Sequence, residues 1–173
     1  THDEDWMIIM SKVNWKTNKD LWIDPLENTE YGSLHGAVLP AEIIRRYVQD
    51  HNLLIETHYK ESHLKGASYS LTPHPSDAWY IHKNGNLKHC KLETRSDSRG
   101  EYYIVQKHSL VFIKILETLS IPYYLIGRHN LKIDYVYQGL LLGTGPQVDP
   151  GYRGNIYIPL HNLTTEDVYV RLN

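Results

Sequence analysis

The sequence of 173 residues contains a single cysteine, Cys90, and a single phenylalanine. One cysteine cannot form a disulfide within the chain, and scarce cysteine is typical of proteins from a reducing compartment. Long hydrophobic runs are also missing, because no stretch approaches the roughly eighteen apolar residues of a membrane-spanning helix. The first residues, THDEDW, do not resemble a signal peptide. These absences predict a cytoplasmic protein that does not associate with a membrane.

The chain also lacks an excess of positive charge. Eighteen Lys and Arg residues face 20 Asp and Glu residues, giving a formal net charge of −2 and a pI near 6.6. Nucleic-acid-binding surfaces usually carry clustered positive charge, so we expect no nucleic acid as a partner. Tyrosine, by contrast, is abundant, with 14 residues. A tyrosine ring buries apolar area while its hydroxyl finds a partner, which suits half-buried strands.

Several catalytic signatures are absent. Eleven histidines occur without Cys-x-x-Cys or His-Glu-x-x-His spacing, so we predict surface histidines and no zinc site. The zinc-dependent nucleobase deaminases need at least two cysteine ligands, and the single cysteine excludes them. No nucleophile elbow or phosphate-binding loop occurs, and Cys90 reads as a small packed residue. Gly143-x-Gly145 precedes no helical pattern, which excludes a Rossmann domain.

Short runs with a period of two residues dominate the chain after residue 52. Before them, Ile43, Ile44, Tyr47 and Val48 recur at helical spacing behind Pro40, which predicts a helix from about 40 to 50. At least seven strands are predicted within KGASYSLTP, AWYIHKNGNLKHCKLE, EYYIVQKHSLVFIKILE, YVYQGLLLGT, GNIYIPLHNL and DVYVRL, with Asn84-Gly85 as a hairpin turn. The segment IPYYLIGRHN reads as a loop with room for one helical turn. The pattern predicts an all-β sandwich or barrel with one N-terminal helix.

The chain divides into two predicted parts. Residues 1–36 hold three of the four tryptophans, Trp6, Trp15 and Trp22, and form an aromatic-rich arm that packs on the domain or on a neighbour. Residues 37–173 form one domain, because no linker or repeat interrupts them. The sequence stops inside the predicted strand VYVRLN, so we expect that Asn173 is not the natural C terminus.

The turn DPGYRG, from Asp149 to Gly154, stands out between two predicted strands. Pro150 fixes one backbone angle and Gly151 permits a positive φ, so the aspartate sits in a stiff bend. One interpretation is an ordinary hairpin in which Asp149 caps its own turn. The other is a ligand site, in which the preceding Gly-Thr-Gly-Pro exposes backbone groups and Tyr152 offers a flat face to a sugar.

The segment GTGPQVDPGYRGNIYIPLHN resembles the central motif of the dCTP deaminase and dUTPase superfamily. In that motif a Thr-Ala/Gly pair precedes Ile-Asp-Pro-Gly-aromatic-x-Gly, and an asparagine ends it. Upstream, LVFIKILETLSIPYYLIGRHNL is similar to a family strand and its Gly-Arg-Ser-Ser-Leu loop. LPAEIIRRYVQDHNLLIE followed by LKGASYSLTP looks like the family's N-terminal helix and next strand. The likeness spans about residues 39–172.

The resemblance implies a distorted β-barrel or jelly roll of the dUTPase type that forms a homotrimer with sites shared between subunits. It implies that Asp149 reads the deoxyribose 3′-hydroxyl and helps to position a water. Tyr152 would stack on the sugar and disfavour a 2′-hydroxyl. Thr144 and Gly145 would line the base pocket with backbone hydrogen bonds to a pyrimidine.

The same resemblance implies a phosphate site and a metal cofactor. Arg128 would lie in the loop that faces the triphosphate, because a guanidinium binds phosphate oxygens in a fork. Asn130, in the same loop, would also contact the substrate. Mg²⁺ would share the triphosphate charge. The implied partner is a pyrimidine deoxynucleoside triphosphate, dUTP or dCTP.

The sequence departs from the family pattern at several functional positions. Family deaminases carry a general acid/base glutamate ten residues after the motif aspartate, and Pro159 stands there in this chain. Ser70 replaces an acid of the strand Ser-Tyr-Asp, and His129-Asn130 replaces Ser-Ser of the phosphate loop. The loop from Arg128 to Asp149 is about three residues longer than in typical members, and the segment that closes over the phosphates in dUTPases is missing from residues 1–173.

Two functional hypotheses follow. The first is a nucleotide enzyme that hydrolyses or deaminates dUTP or dCTP with altered chemistry, since phosphoanhydride hydrolysis depends mainly on positioning and Mg²⁺. The second is a catalytically inactive trimer that senses a nucleotide or serves as an assembly module. Loss of a proton-transfer carboxylate typically costs roughly two to four orders of magnitude in rate, so deamination by the family mechanism is disfavoured.

Overall fold

The computed structural model describes residues 24–29, 38–84, 86–143 and 145–172. Trp6, Trp15 and Trp22 of the predicted arm, and Thr144 of the predicted base pocket, lie outside the described residues. The chain divides into two compact units. The first unit comprises Thr1–Ser70, Glu117–Gly127 and Gln147–Asn155; the second comprises Leu71–Leu116, Arg128–Pro146 and Ile156–Asn173.

Short strands make up most of the regular structure in the described ranges. The helices are α1 (Ala41–His51) and α2 (Ile133–Tyr137), with a 3₁₀ turn at Glu61–His63. The strands are β1 (Leu54–Ile55), β2 (Leu64–Lys65), β3 (Ser68–Tyr69), β4 (Pro73–Asn84), β5 (Asn86–Lys91), β6 (Arg95–Asp97), β7 (Gly100–Val105), β8 (Leu110–Ile115), β9 (Leu119–Ser120), β10 (Gly127–Arg128), β11 (Leu140–Leu142), β12 (Gln147–Val148), β13 (Arg153–Gly154), β14 (Tyr157–Asn162) and β15 (Val168–Arg171). The predicted all-β class is confirmed.

Helix α1 forms the hydrophobic centre of the first unit. Its buried residues are Ile43, Ile44, Tyr47 and Val48, the positions that the helical spacing predicts. Pro40 precedes the first turn, where its missing N–H costs nothing, and the helix ends because Asn52 adopts a left-handed conformation with φ of 53°. The predicted N-terminal helix is therefore confirmed.

The short segment of residues 24–29 packs on this helix. Leu26 is buried in one cluster with Ile43, Tyr47 and Leu53. The Tyr47 hydroxyl donates a 2.8 Å hydrogen bond to Asp24 Oδ1, and burial together with this bond raises the pKa of the phenol. Part of the predicted arm thus covers apolar surface of the first unit itself.

The first unit also contains a three-stranded sheet in the order β1-β9-β13. Ser120 in the middle strand pairs with Leu54 on one side and with Arg153 on the other. Because β13 begins immediately after Tyr152, this pairing holds one end of the DPGYRG turn. A separate ladder joins β2 and β3.

The second unit contains a five-stranded antiparallel sheet in the order β11-β14-β8-β4-β5 and a three-stranded sheet in the order β15-β7-β6. Strand β8 alternates cleanly, with Val111, Ile113 and Ile115 buried. The fully enclosed Tyr103 lies in the same core. Strands β4 and β5 pair antiparallel, which confirms a hairpin here; Asn84 pairs with Asn86 as the last residue of β4, and Gly85 lies outside the described residues.

One strand prediction is wrong in part. Tyr135–Tyr137 belongs to α2, and the strand predicted for YVYQGLLLGT is limited to Leu140–Leu142. The backbone N–H of Gln138 donates to the Asp134 carbonyl, and only Tyr135 packs on the core while Ile133 and its other apolar neighbours are exposed. A run this short fits either period, so tertiary contacts decided between them. Gly139, with φ of 85°, then redirects the chain into β11.

No helix among the described residues is long and apolar enough to cross a membrane.

Candidate functional site

The DPGYRG turn is fixed by its backbone. Gly151 N donates to Ile121 O at 2.9 Å, and Ile121 N donates back to Tyr152 O at 2.8 Å. Within the turn, Tyr152 N donates to Asp149 O at 3.1 Å. These three bonds hold the peptide groups from the Asp149 carbonyl to the Tyr152 carbonyl. The turn is therefore a rigid support for the residues that it presents.

Gly151 is required by both its conformation and its surroundings. Its φ is +80°, a region that residues with a Cβ rarely adopt. A Cβ at this position would lie only 2.4 Å from an edge carbon of the Tyr123 ring. The glycine in the motif thus allows the turn to close against an aromatic ring of its own unit.

The Asp149 carboxylate is exposed at the tip of this turn. Its Oδ1 accepts a 2.8 Å hydrogen bond from Nε2 of Gln147, and no cation among the described residues forms an ion pair with it. If Asp149 only capped its own turn, its side chain would accept hydrogen bonds from the residues that follow it. Instead, the side chain accepts a hydrogen bond from Gln147, which precedes it. One carboxylate oxygen is thus oriented by Gln147, and the residue as a whole is exposed.

Tyr152 is held in one orientation beside Asp149. Its hydroxyl donates a 2.5 Å hydrogen bond to the carbonyl oxygen of Asn155, while Asn155 Nδ2 donates to Glu117 O at 2.9 Å. The ring is half-buried, and burial raises the pKa of the phenol, so it remains a protonated donor at neutral pH. Its hydroxyl is therefore engaged within the chain, and the half-buried ring is fixed in place.

The next residue, Arg153, completes the turn. Its Nε lies 2.8 Å and 2.9 Å from the two carboxylate oxygens of Glu56, whose side chain is only 13% exposed. Because Arg153 is itself 53% exposed, the pair contributes little stability on its own. It does direct the Arg153 guanidinium towards Glu56, and in the described ranges no ion pair links Arg153 to Asp149.

The other predicted site residues belong to the second unit. Arg128 and Asn130 are exposed, and Arg128 forms no ion pair within the described part of the chain. Between them, His129 N donates to Pro146 O at 2.8 Å, and burial lowers the pKa of the His129 imidazole. Gly145, with φ of +81°, is exposed and has no atom within 4 Å of an added Cβ.

Pro159 fills the place where the motif predicts a glutamate in family deaminases. It lies in β14 opposite Phe112 of β8, and Gly143 N donates to its carbonyl at 2.8 Å. A Cβ at Gly143 would come within 2.6 Å of the proline ring, so the ring packs directly on the Gly143 backbone. An apolar ring that carries no exchangeable proton therefore occupies this position.

Ser70 occupies the second position where the family motif predicts an acid. Its backbone N–H donates to His63 O at 2.9 Å, and its carbonyl oxygen lies 2.9 Å from His63 Nδ1. In the ranges that the structure describes, no group of three or more His, Cys, Asp or Glu residues could hold a metal ion.

A cavity of about 440 Å³ opens elsewhere, in the second unit. Its lining comprises Pro75, Ser76, Lys91, Leu92, Glu93 and Thr94. It includes none of the residues that the sequence assigns to the site.

Gln147 is the functional candidate that the sequence reasoning missed. Strand β12 buries Val148, so residues 147 and 149 lie on its other side and can bond each other. The alternation polar-apolar-polar in Gln-Val-Asp is the signal that could have found it.

A comparison with known families identifies the family of this chain. A family model described as dCTP deaminase-like matches residues 38–173, and the chain belongs to this family. Family membership supports a function related to nucleotides.

Among solved structures, the chain is similar to 2′-deoxycytidine 5′-triphosphate deaminase from Agrobacterium tumefaciens, with a TM-score of 0.59 and 16% sequence identity. The match covers 77% of this chain but 44% of the Agrobacterium protein. At this identity the likeness establishes a shared fold, and the chain spans less than half the length of that relative. A comparison with curated proteins gave no match.

Proposed function

We propose that the chain binds a pyrimidine deoxynucleoside triphosphate, with the DPGYRG turn reading the sugar, and that it does not deaminate the base. The observation that carries this proposal is the pairing on one rigid turn of an exposed, oriented carboxylate, Asp149, with a fixed ring, Tyr152. A carboxylate accepts hydrogen bonds from a sugar hydroxyl, and an aromatic face packs on the ring carbons. Membership of the dCTP deaminase-like family favours a nucleotide as the ligand.

The phosphates would be bound by the loop from Arg128 to Asn130. The Arg128 guanidinium is exposed and has no carboxylate partner in the described residues, so it is available to bind phosphate oxygens. Gly145, and with it Thr144, would provide backbone groups for the base. Because the described side chains do not form a metal cluster, Mg²⁺ would arrive with the triphosphate.

Loss of deamination follows from Pro159. Deamination of a cytosine ring requires proton transfer to and from the attacking water and the leaving amine. Pro159 has no group that can exchange a proton, and its ring packs on Gly143. We therefore expect dCTP to be bound without conversion to dUTP.

A second candidate function is hydrolysis of the triphosphate, as in dUTPases. The exposed and uncompensated carboxylate of Asp149 favours it, because a carboxylate with free lone pairs can orient a water. This reaction does not need the proton-transfer group that Pro159 replaces. We propose for both functions that the chain acts as a homotrimer, which light scattering tests directly.

The deciding experiment is a panel of dCTP, dUTP, dTTP and the matching ribonucleotides, each with Mg²⁺, measured by calorimetry for binding and by chromatography for products. The proposal expects binding of at least one pyrimidine deoxynucleotide, weaker binding of its ribonucleotide, and no conversion of dCTP to dUTP. Release of pyrophosphate from dUTP would select the second candidate. Binding of no nucleotide by the intact chain would contradict both candidates, and deamination of dCTP would contradict the role given to Pro159.

A further inference from the structure

We infer that Gln147 is a positioning residue that orients the Asp149 carboxylate for a ligand hydroxyl; this inference rests on the proposed function. Gln147 Nε2 donates a 2.8 Å hydrogen bond to Asp149 Oδ1. The bond joins two exposed side chains two positions apart, on the side of β12 opposite the buried Val148.

The backbone fixes where Asp149 begins but not where its carboxylate points. The three hydrogen bonds of the turn hold the peptide groups that follow Asp149, and Gly151 packs against the Tyr123 ring. The side chain retains rotation about χ1 and χ2, and an exposed carboxylate would sample several rotamers. The Gln147 amide restricts this rotation, so that Oδ2 is presented in a constant direction.

The choice of an amide as the orienting group has a chemical consequence. A lysine or arginine at position 147 would also orient the carboxylate, but it would neutralise the charge that makes the oxygen a strong acceptor. The glutamine donates a hydrogen bond without adding positive charge. The nearby Arg153 is engaged with Glu56 and does not form an ion pair with Asp149. Among the described residues, the Asp149 carboxylate is therefore oriented by an amide and not by a cation.

The group that Asp149 contacts is a sugar hydroxyl in the proposed function. A dideoxynucleotide lacks the 3′-hydroxyl but retains the base, the phosphates and the Tyr152 contact. The contribution of Gln147 to binding affinity should therefore disappear with the dideoxynucleotide. This separates a positioning role from a structural one, because damage to the turn would weaken both ligands equally.

The experiment compares the wild-type chain with Gln147→Leu and Gln147→Glu, using dCTP with ddCTP and dUTP with ddUTP in calorimetric titrations with Mg²⁺. The leucine variant keeps similar bulk and removes the donor, and the glutamate variant also adds repulsion. We expect Gln147→Leu to weaken binding of the deoxynucleotide by about three- to tenfold, the range for loss of one ordinary hydrogen bond, and to leave the dideoxynucleotide within about twofold. Gln147→Glu should lose more.

The matched control is Gln138→Leu, because Gln138 is another exposed glutamine whose Nε2 donates, at 3.0 Å, to the Asp134 carbonyl in α2. It should change neither affinity. In an Asp149→Asn background, Gln147→Leu should cause no further loss, since the two residues act as one unit. In NMR spectra, the Gln147 side-chain amide signal should shift on Asp149→Asn in the absence of any nucleotide.

The outcomes distinguish the inference from the proposed function. If the wild-type chain binds a deoxynucleotide but Gln147→Leu weakens it and its dideoxy counterpart alike, or weakens neither, Gln147 has no positioning role and the proposed function stands. If the wild-type chain binds no pyrimidine nucleotide, the proposed function fails and the inference fails with it. An unchanged Gln147 amide signal in Asp149→Asn would also overturn the inference, independently of ligand.

Discussion

The phenol of Tyr152 donates a 2.5 Å hydrogen bond to the carbonyl oxygen of Asn155, three residues ahead in the same chain. The bond passes over Gly154, where an added Cβ would lie 3.4 Å from the phenol oxygen. Asn155 is in turn tied to Glu117 O through its side-chain amide. Since the hydroxyl has its partner within the protein, the ring is the part of Tyr152 that the proposed function assigns to the ligand.

Two substitutions of Tyr152 distinguish the contribution of its hydroxyl from that of its ring. We expect Tyr152→Phe to keep nucleotide affinity within about threefold and to lower the free energy of unfolding by about 1 kcal/mol, because only one hydrogen bond is lost. Tyr152→Ala removes the ring and should weaken deoxynucleotide binding by about tenfold or more. Calorimetry and chemical denaturation measure the two effects. A larger affinity loss in the phenylalanine variant would mean that the hydroxyl, and not the ring face, contacts the ligand.

Substitution of Asp149 tests the acceptor itself. Asp149→Asn keeps the shape of the side chain but replaces one acceptor oxygen with a donor and removes the charge. We expect affinity for dCTP or dUTP to fall by about tenfold or more, whereas thermal stability changes little because the carboxylate is exposed. Asp50→Asn, at an exposed aspartate of α1, is the matched control and should bind normally. Equal affinities in the two variants would place the sugar elsewhere.

Three glycines that differ in backbone conformation and in surrounding space test how much each factor contributes to stability at Gly151. Gly66 has open space and no positive φ, Gly145 has open space with φ of +81°, and Gly151 has φ of +80° together with the Tyr123 ring at 2.4 Å. Substitution by alanine should therefore be near neutral at Gly66 and cost about 1 kcal/mol at Gly145.

At Gly151 the clash adds to the backbone strain, so we expect a loss of about 2–4 kcal/mol. Urea denaturation of the three alanine variants gives the free energies of unfolding. A Gly151→Ala variant no less stable than Gly145→Ala would contradict the packing of the turn against Tyr123.

The pair of Asp97 and Arg171 predicts a pH dependence of stability. Arg171 Nη1 and Nη2 donate to the two oxygens of Asp97 at 2.7 Å and 2.8 Å, and Arg99 N donates to Oδ1. These bonds lower the pKa of Asp97 to about 2, and the bond from Arg171 is the largest cause. Because the folded pKa lies below the ordinary value of about 3.9, this contribution is present above about pH 4 and lost as the pH falls towards 2.

The carboxyl carbon of Asp97 should accordingly titrate near pH 2 in NMR spectra of the wild-type chain. In Arg171→Gln the midpoint should rise towards the ordinary value, since the main cause of the shift is removed. The stability difference between the wild-type chain and Asp97→Asn should shrink as the pH is lowered from 4 to 2. A wild-type midpoint near 4 would show that the pair does not form in solution.

Local features of the fold were predictable because they depend on residues close in sequence. The apolar spacing of Ile43, Ile44, Tyr47 and Val48 identified α1, and Asn84-Gly85 identified the β4–β5 hairpin. Helix α2 was missed because its five-residue run fits a strand as well as a helix. The packing of Tyr135 on the core of the second unit is a tertiary contact, which the sequence alone does not show.

The candidate site was predictable to a similar degree. The residues of the DPGYRG motif indicated a stiff turn that carries Asp149 and Tyr152. The exposed state of Asp149 and the bond of Tyr152 to Asn155 could not be read from the motif. Gln147 was overlooked because its bond to Asp149 depends on the burial of Val148, which leaves residues 147 and 149 on the opposite side of the strand.

The sequence by itself determined the all-β character, the first helix and the stiffness of the DPGYRG turn, because alternation, proline and glycine act through the local backbone. Only the tertiary structure decided that Gly151 closes on Tyr123 and that the Pro159 ring packs on Gly143. Those contacts join residues 16 or more positions apart, and their distances depend on how the strands pair and pack. Local preference cannot specify them, since the same residues in another register would face different neighbours.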